Sequence, residues 1–178
     1  MVIFKRNKKK KIISIEHKVS FLVIFISSIF GLIYGVTFGD YKIINFIRFH
    51  NPGFINVFLK ILIHNFLTSM IIIGLSIFIY IGPSIPVIIT FFVFGDAFGA
   101  ITKEKGLFTA ISTYPHLIPE TLSILLILSI GFMISSKILG IVFKNDPINK
   151  NNNKILKNFI ASCLLLILAA FVEALKLS

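Results

Sequence analysis

Apolar residues fall into five long blocks, Val19 to Phe38, Ile61 to Ile81, Ile85 to Thr102, Ile118 to Val142 and Ile155 to Leu175. Each is close to the roughly 20 residues needed to cross about 30 Å of hydrocarbon. None shows the strict apolar/polar alternation of a barrel strand, and a helix satisfies its own backbone in lipid. The pattern predicts an all-α polytopic bundle of five transmembrane helices. A sixth apolar segment, Leu107 to His116, is too short to cross and follows Lys103-Glu104-Lys105-Gly106. It reads either as a short re-entrant or interfacial segment or as the start of a long, kinked fourth span.

The polar stretches between the blocks set the connections. Tyr41 to His50 mixes apolar and basic residues, ends at the turn-forming Asn51-Pro52-Gly53, and is expected along the membrane interface. Gly82-Pro83-Ser84 predicts a very short link that makes spans two and three antiparallel neighbours. Asn145 to Asn153 reads as a solvated linker.

Composition agrees with the pattern. Over 178 residues, 56% are hydrophobic and 14% charged, far from the roughly 25% charged of soluble domains. A basic tail, residues 1–18, and a single transmembrane domain, residues 19–178, account for the chain. The net charge of +11 sits in clusters beside the blocks and has no aromatic platform or reading motif, so nucleic acid is not an expected partner. Of 18 Lys and Arg, twelve flank the side holding the N-terminal tail and the linker before the last span, and six the other. The positive-inside rule then predicts a cell-membrane protein with its N-terminus in the cytoplasm and its C-terminus outside. The first block is too long for a usual signal core, and no alanine precedes Ala97 to form an A-x-A site, so it is expected to stay as the first span. A lone Cys163 inside the last block reads as a small buried hydrophobe.

Against this background the rare polar residues inside the blocks stand out, because intramembrane ionisable groups are costly. With the predicted topology, His64 and Asn65 near the start of span two, Asp96 in span three, His116 and Glu120 opening span four, and Glu173 closing span five all tend towards the outer side. Pro115-His116-Leu117-Ile118-Pro119-Glu120 is the densest signal. Its histidine and glutamate share a helix face at i and i+4, while proline and a carboxylate both suit a first helical turn. One reading is structural: Pro119 starts the span, Glu120 caps it and His116 lies at headgroup level. The other is a paired site in which the carboxylate orients or charges the imidazole. Asp96 needs a partner, with Lys103 or a histidine as candidates. Gly31, Gly35 and Gly39, and Gly95 and Gly99, are spaced by four and predict close helix packing. No glycine-rich phosphate loop, nucleophile elbow, cysteine cluster or metal-ligand spacing occurs, so no cofactor or bound metal is expected and an enzymatic role is disfavoured.

At four of these places the chain resembles the stage II sporulation protein M family of small bacterial and archaeal membrane proteins. They are Asn65, Gly95-x-x-x-Gly99, Pro115-His116-x-x-x-Glu120 and Glu173-Ala174. Leu117, where the family usually has glycine, and Phe94, where it often has asparagine, depart from the pattern. In endospore formers the resemblance implies a membrane component of the engulfment machinery, acting with partners that degrade septal peptidoglycan. The expectation is a scaffold or partner-docking component, in contact with the lipid bilayer and with membrane or extracytoplasmic proteins; a homo-oligomer is compatible with it. The rivals are a proton or cation transporter or channel subunit using Asp96, His116, Glu120 and Glu173, and an intramembrane metal-dependent hydrolase with His116 as base.

Overall fold

The computed structural model describes residues 15–39, 53–144 and 152–177. Residues 1–14 of the N-terminal basic tail, the stretch from Tyr41 to His50 and nearly all of the linker before the last span lie outside the described residues, while the last four residues of the tail already belong to the first helix. Within them the chain forms six α-helices: α1 (Ile15–Phe38), α2 (Phe54–Gly74), α3 (Ile81–Lys105), α4 (Leu107–Thr113), α5 (Leu117–Lys144) and α6 (Asn152–Leu177). A 3-10 turn, Leu75–Phe78, prolongs α2. Five of these helices, α2 with its 3-10 extension among them, are long and apolar enough to cross a membrane. The protein is an all-α, multi-pass membrane bundle.

α5 is the central post. Half of its most apolar stretch is buried, against 17 to 33% for the other spans. Ile124, Ile127, Leu128, Ile130 and Phe132 of α5 meet Ile24 of α1, Ile72 of α2, and Val87 and Phe91 of α3 in one core. Lipid is as apolar as leucine, so such a bundle is held by close packing and interhelical polar contacts more than by water exclusion. Small residues supply the packing. α1 and α3 touch backbone to backbone: a Cβ on Gly31 would lie 2.1 Å from the Phe92 carbonyl oxygen, one on Gly35 2.1 Å from that of Asp96, and one on Gly95 2.4 Å from that of Ser28.

Buried hydroxyls supply the polar contacts. Ser123 and Ser162 pair at 2.7 Å between α5 and α6, and Ser135 donates to the Ser76 carbonyl at the end of α2. At one end of the bundle His17 Nδ1 lies 2.7 Å from Ser129 Oγ, which is itself 3.0 Å from Ser20 Oγ, and Glu16 pairs with Lys154.

Two boundaries differ from the sequence expectation, each for a local reason, and the sequence leaves a third open between two readings. α2 begins at Phe54, seven residues before the expected start, because Asn56 and Lys60 sit on an exposed helix face and break the apolar run without breaking the helix. Gly82-Pro83-Ser84 is the first turn of α3 and not the link. Proline is tolerated there because the first amides of a helix have no intrahelical partner. The reversal falls instead at Ile79 and Tyr80, with Ile79 held at φ 53°, a strained backbone for a β-branched residue. Finally, Leu107–Thr113 is a separate short helix that does not join α5, which leaves the re-entrant or interfacial reading of this segment and not the long, kinked fourth span. Pro115 disfavours the α conformation at Tyr114, which adopts φ −124° and ψ 60°, and the chain breaks there.

Candidate functional site

The end of the bundle opposite Glu16 gathers the C-terminus of α3, α4, the start of α5 and the C-terminus of α6. The site is assembled from their termini. Gly106, at φ +84°, ends α3 and turns the chain straight into α4. The Tyr114-Pro115 break then swings it back, and α5 starts with the Leu117 amide donating to the Tyr114 carbonyl and the Glu120 amide to the His116 carbonyl. Pro119 occupies the first turn, as its missing N–H allows, and Glu120 places its carboxylate at the positive end of the helix dipole.

His116 sits at the centre. Its Nε2 lies 3.7 Å from Glu120 Oε2 and 3.7 Å from Glu173 Oε2 of α6, so one imidazole edge faces two carboxylates from different helices. The ring is 12% exposed and the two carboxylate side chains about a quarter exposed, with relative areas of 25 and 26%. On the other edge Nδ1 is buried without a hydrogen-bond partner. Tyr114 meets the imidazole edge-on, with ring centres 6.1 Å apart, and also packs edge-on against Phe94 of α3 at 5.0 Å. Phe94 thus does aromatic packing work at the position where the family often carries asparagine.

A fourth charged group completes the arrangement. Lys176, three residues beyond Glu173, sends its ammonium to the carbonyls of Ser112, at 3.1 Å, and Thr113, which are the open carbonyls at the end of α4. The sequence reading passed over Lys176 as a flanking charge; its i+3 spacing from Glu173 was the available signal.

Two carboxylates at 3.7 Å would favour an imidazolium, but burial opposes it more strongly. Desolvation first, and the Lys176 ammonium second, hold His116 below the ordinary imidazole range. The ring is neutral at neutral pH, and its approaches to Glu120 and Glu173 are polar contacts beyond hydrogen-bond length and not full ion pairs. The arrangement can therefore accept a hydrogen-bond donor from a partner.

Not every candidate residue joins this group. Asn65 is half-buried on α2 and, among the described residues, makes no side-chain hydrogen bond to His116, Glu120 or Glu173; its carbonyl accepts from Ser69. His64 is exposed on the same helix. Asp96 belongs to the α1–α3 seam, its carbonyl against Gly35 and its Oδ1 buried without a hydrogen-bond partner. Lys103, a candidate partner for it, reaches the Thr37 carbonyl instead. Gly95 and Gly99 pack against α1, and Pro115 makes the break before α5. Among the described residues no group of three His, Cys, Asp or Glu could hold a metal ion.

The stage II sporulation protein M family model matches residues 19–175, almost the whole chain. The chain belongs to the stage II sporulation protein M family. No curated protein and no solved structure matches it. The matched region takes in α1 from Val19, all of α2 to α5 and nearly all of α6, so His116, Glu120 and Glu173 lie within the family domain and Lys176 just beyond it.

Proposed function

We propose that this integral membrane protein is a scaffold of a membrane complex that docks a partner protein at its His116 end. The observation that carries the reading is the convergence of His116, Glu120 and Glu173 from two helices into one group, with both carboxylates still partly open. A purely structural cap would need only Glu120 on its own helix. Membership of the stage II sporulation protein M family supports the same reading, since in endospore formers the family resemblance implies engulfment and septal peptidoglycan remodelling with partner proteins. The lysine and arginine bias supports an N-terminus in the cytoplasm, and in that orientation the His116 end and the C-terminus lie outside, where such partners work.

Glu120→Ala is the direct test. Thermal stability in detergent and recovery of cross-linked extracytoplasmic protein should both fall; unchanged values for both overturn the reading. The transporter reading keeps one observation of its own, the unpartnered buried oxygen of Asp96. Lateral grooves of about 420 and 780 Å³ run between α1, α3 and α5, yet neither is lined by Asp96, His116, Glu120 or Glu173. Proteoliposomes separate the two readings: the scaffold predicts no pH-dependent ion flux, whereas a flux abolished by Asp96→Asn would establish the transporter.

A further inference from the structure

α1 and α3 run parallel and touch only along their C-terminal halves. There Gly31 and Gly35 meet the backbone at Phe92 and Asp96, and Gly95 and Gly99 meet it at Ser28 and Leu32. Small residues let helix backbones approach, and bulky ones hold them apart. Towards the helix starts the facing residues become Val19, Val23 and Ile26 on α1 and Ile85 and Ile88 on α3, and a groove opens between the two helices. The two lateral hollows named above are parts of it, since Val23 and Ile88 line both.

Polarity changes along this groove. Its deep part is lined by Leu22, Ile26, Phe30 and Phe92, and the one hydroxyl there, on Ser27, donates to the Val23 carbonyl of its own helix. Glu16, Tyr80, Ser84 and Ser136 line the other end, where α1 and α3 begin. Glu16 is paired with Lys154, and Ser84 donates to the Tyr80 carbonyl. The hydroxyls of Tyr80 and Ser136 lie 2.7 Å apart. One hydrogen bridges them, and the other is left to donate outward. Lys18, Lys137, Lys154 and Lys157 stand at this end of the bundle, with Glu16 as the one carboxylate there among the described residues. In the sequence, Lys5, Arg6 and Lys8 to Lys11 come just before Ile15, itself a lining residue, and the linker adds Lys150 and Asp146.

Depth and charge together select the occupant. From Val19 to Phe30 the apolar part runs about 16 Å at about 1.5 Å per residue, against about 15 Å for half of the hydrocarbon core. A spanning helix of a partner would need a path across the whole bilayer, whereas this groove closes where Gly31 meets Phe92. An acyl chain of one leaflet fits that depth. Its headgroup then lies among lysines, which favour a negative charge at a membrane surface.

We propose that the α1–α3 groove holds one anionic glycerophospholipid, its acyl chain along Val19, Val23, Ile85 and Ile88 and its phosphate against the hydroxyls of Tyr80 and Ser136. The site lies at the opposite end of the bundle from His116, so it goes beyond the scaffold reading and stands whether or not Glu120→Ala has an effect.

The test reconstitutes the purified full chain in phosphatidylcholine vesicles carrying a trace of phosphatidylglycerol with a photoreactive diazirine in its acyl chain. The comparison probe has the same acyl chain on phosphatidylcholine. After irradiation, the anionic probe should label α1 between Val19 and Phe30 and α3 between Ile85 and Phe92. Its yield should exceed that of the zwitterionic probe by at least about fivefold, the advantage of a single basic contact at a membrane surface. The exposed face of α2, at Ile63, Leu67 and Ile71, should take little label from either probe. Ile88→Trp fills the groove from an exposed position; it should remove the labelling and melt as the unchanged protein does. Glutamine at positions 8 to 11 should lower the anionic preference without moving the labelled residues. Equal labelling by the two probes, label spread evenly onto α2, or labelling indifferent to Ile88→Trp overturns the proposal. So does a preference unchanged by the four glutamines, or a groove left unlabelled, as a second copy or the chain's own N-terminal segment seated in it would leave it.

Discussion

His116 owes its state to a competition between neighbours. Two carboxylates would charge it, while burial and Lys176 keep it neutral, and the second pair of effects wins. The sign of the consequence follows. A histidine whose folded-state value lies below the ordinary one of about 6.5 supports folding fully above that value and loses its contribution as pH falls through the folded-state value, because the unfolded chain takes up the proton first. Thermal unfolding in detergent should therefore show stability falling from pH 7.5 to 5 more steeply in the unchanged protein than in His116→Gln. Equal slopes would show that the imidazole is indifferent to its surroundings. Pro115, His116, Glu120 and Glu173 were legible in the sequence because rare polar residues in apolar blocks are conspicuous. Lys176 was not, since a lysine at the end of a span is ordinary, and only the position of the α4 carbonyls gives it work.

Among the helices, α1 and α3 show how far spacing alone can be read. Two sets of glycines four residues apart predicted close approach, and the structure brings Gly31 and Gly35 onto the backbone around Phe92 and Asp96, with Gly95 and Gly99 against Ser28 and Leu32. Gly35→Ala would thrust a methyl group against the Asp96 carbonyl, and neither backbone can yield without parting the helices. Overpacking of this kind costs about 1 to 3 kcal/mol. Gly140→Ala on α5 meets nothing within 4 Å and should be neutral or stabilising by up to about 1 kcal/mol through helix propensity. Thermal melting of the two variants checks the contrast; equal losses would mean that the seam is slack. The start of α2 was hidden for the opposite reason. Lys60 interrupts the apolar run by composition, but helical backbone continues through a residue whose side chain points out of the bundle.

For the protein as a unit, the five spans and their alternating directions followed from block length and the short link after α2, and the family match covers the same region. Which helix stands at the centre did not follow. All five blocks are similarly apolar, and buried serines occur on α1 as well as on α5, so neither hydropathy nor small residues single out the central helix. The orientation rests on charge counts and makes a direct prediction. In a Cys163→Ser background, a cysteine at exposed Lys105 should react with a membrane-impermeant maleimide added to whole cells, and one at exposed Asn153 should react only after lysis. The reverse pattern would turn the protein over and place the His116 end in the cytoplasm.

The α1–α3 seam also dictates an order of events during synthesis. Its two halves are separated in the chain by the whole of α2, so a nascent polypeptide halted before Gly95 carries Gly31 and Gly35 with no mate. Until the third hydrophobic segment leaves the ribosome, the first is a groove without a ridge, and insertion of the early spans precedes their assembly.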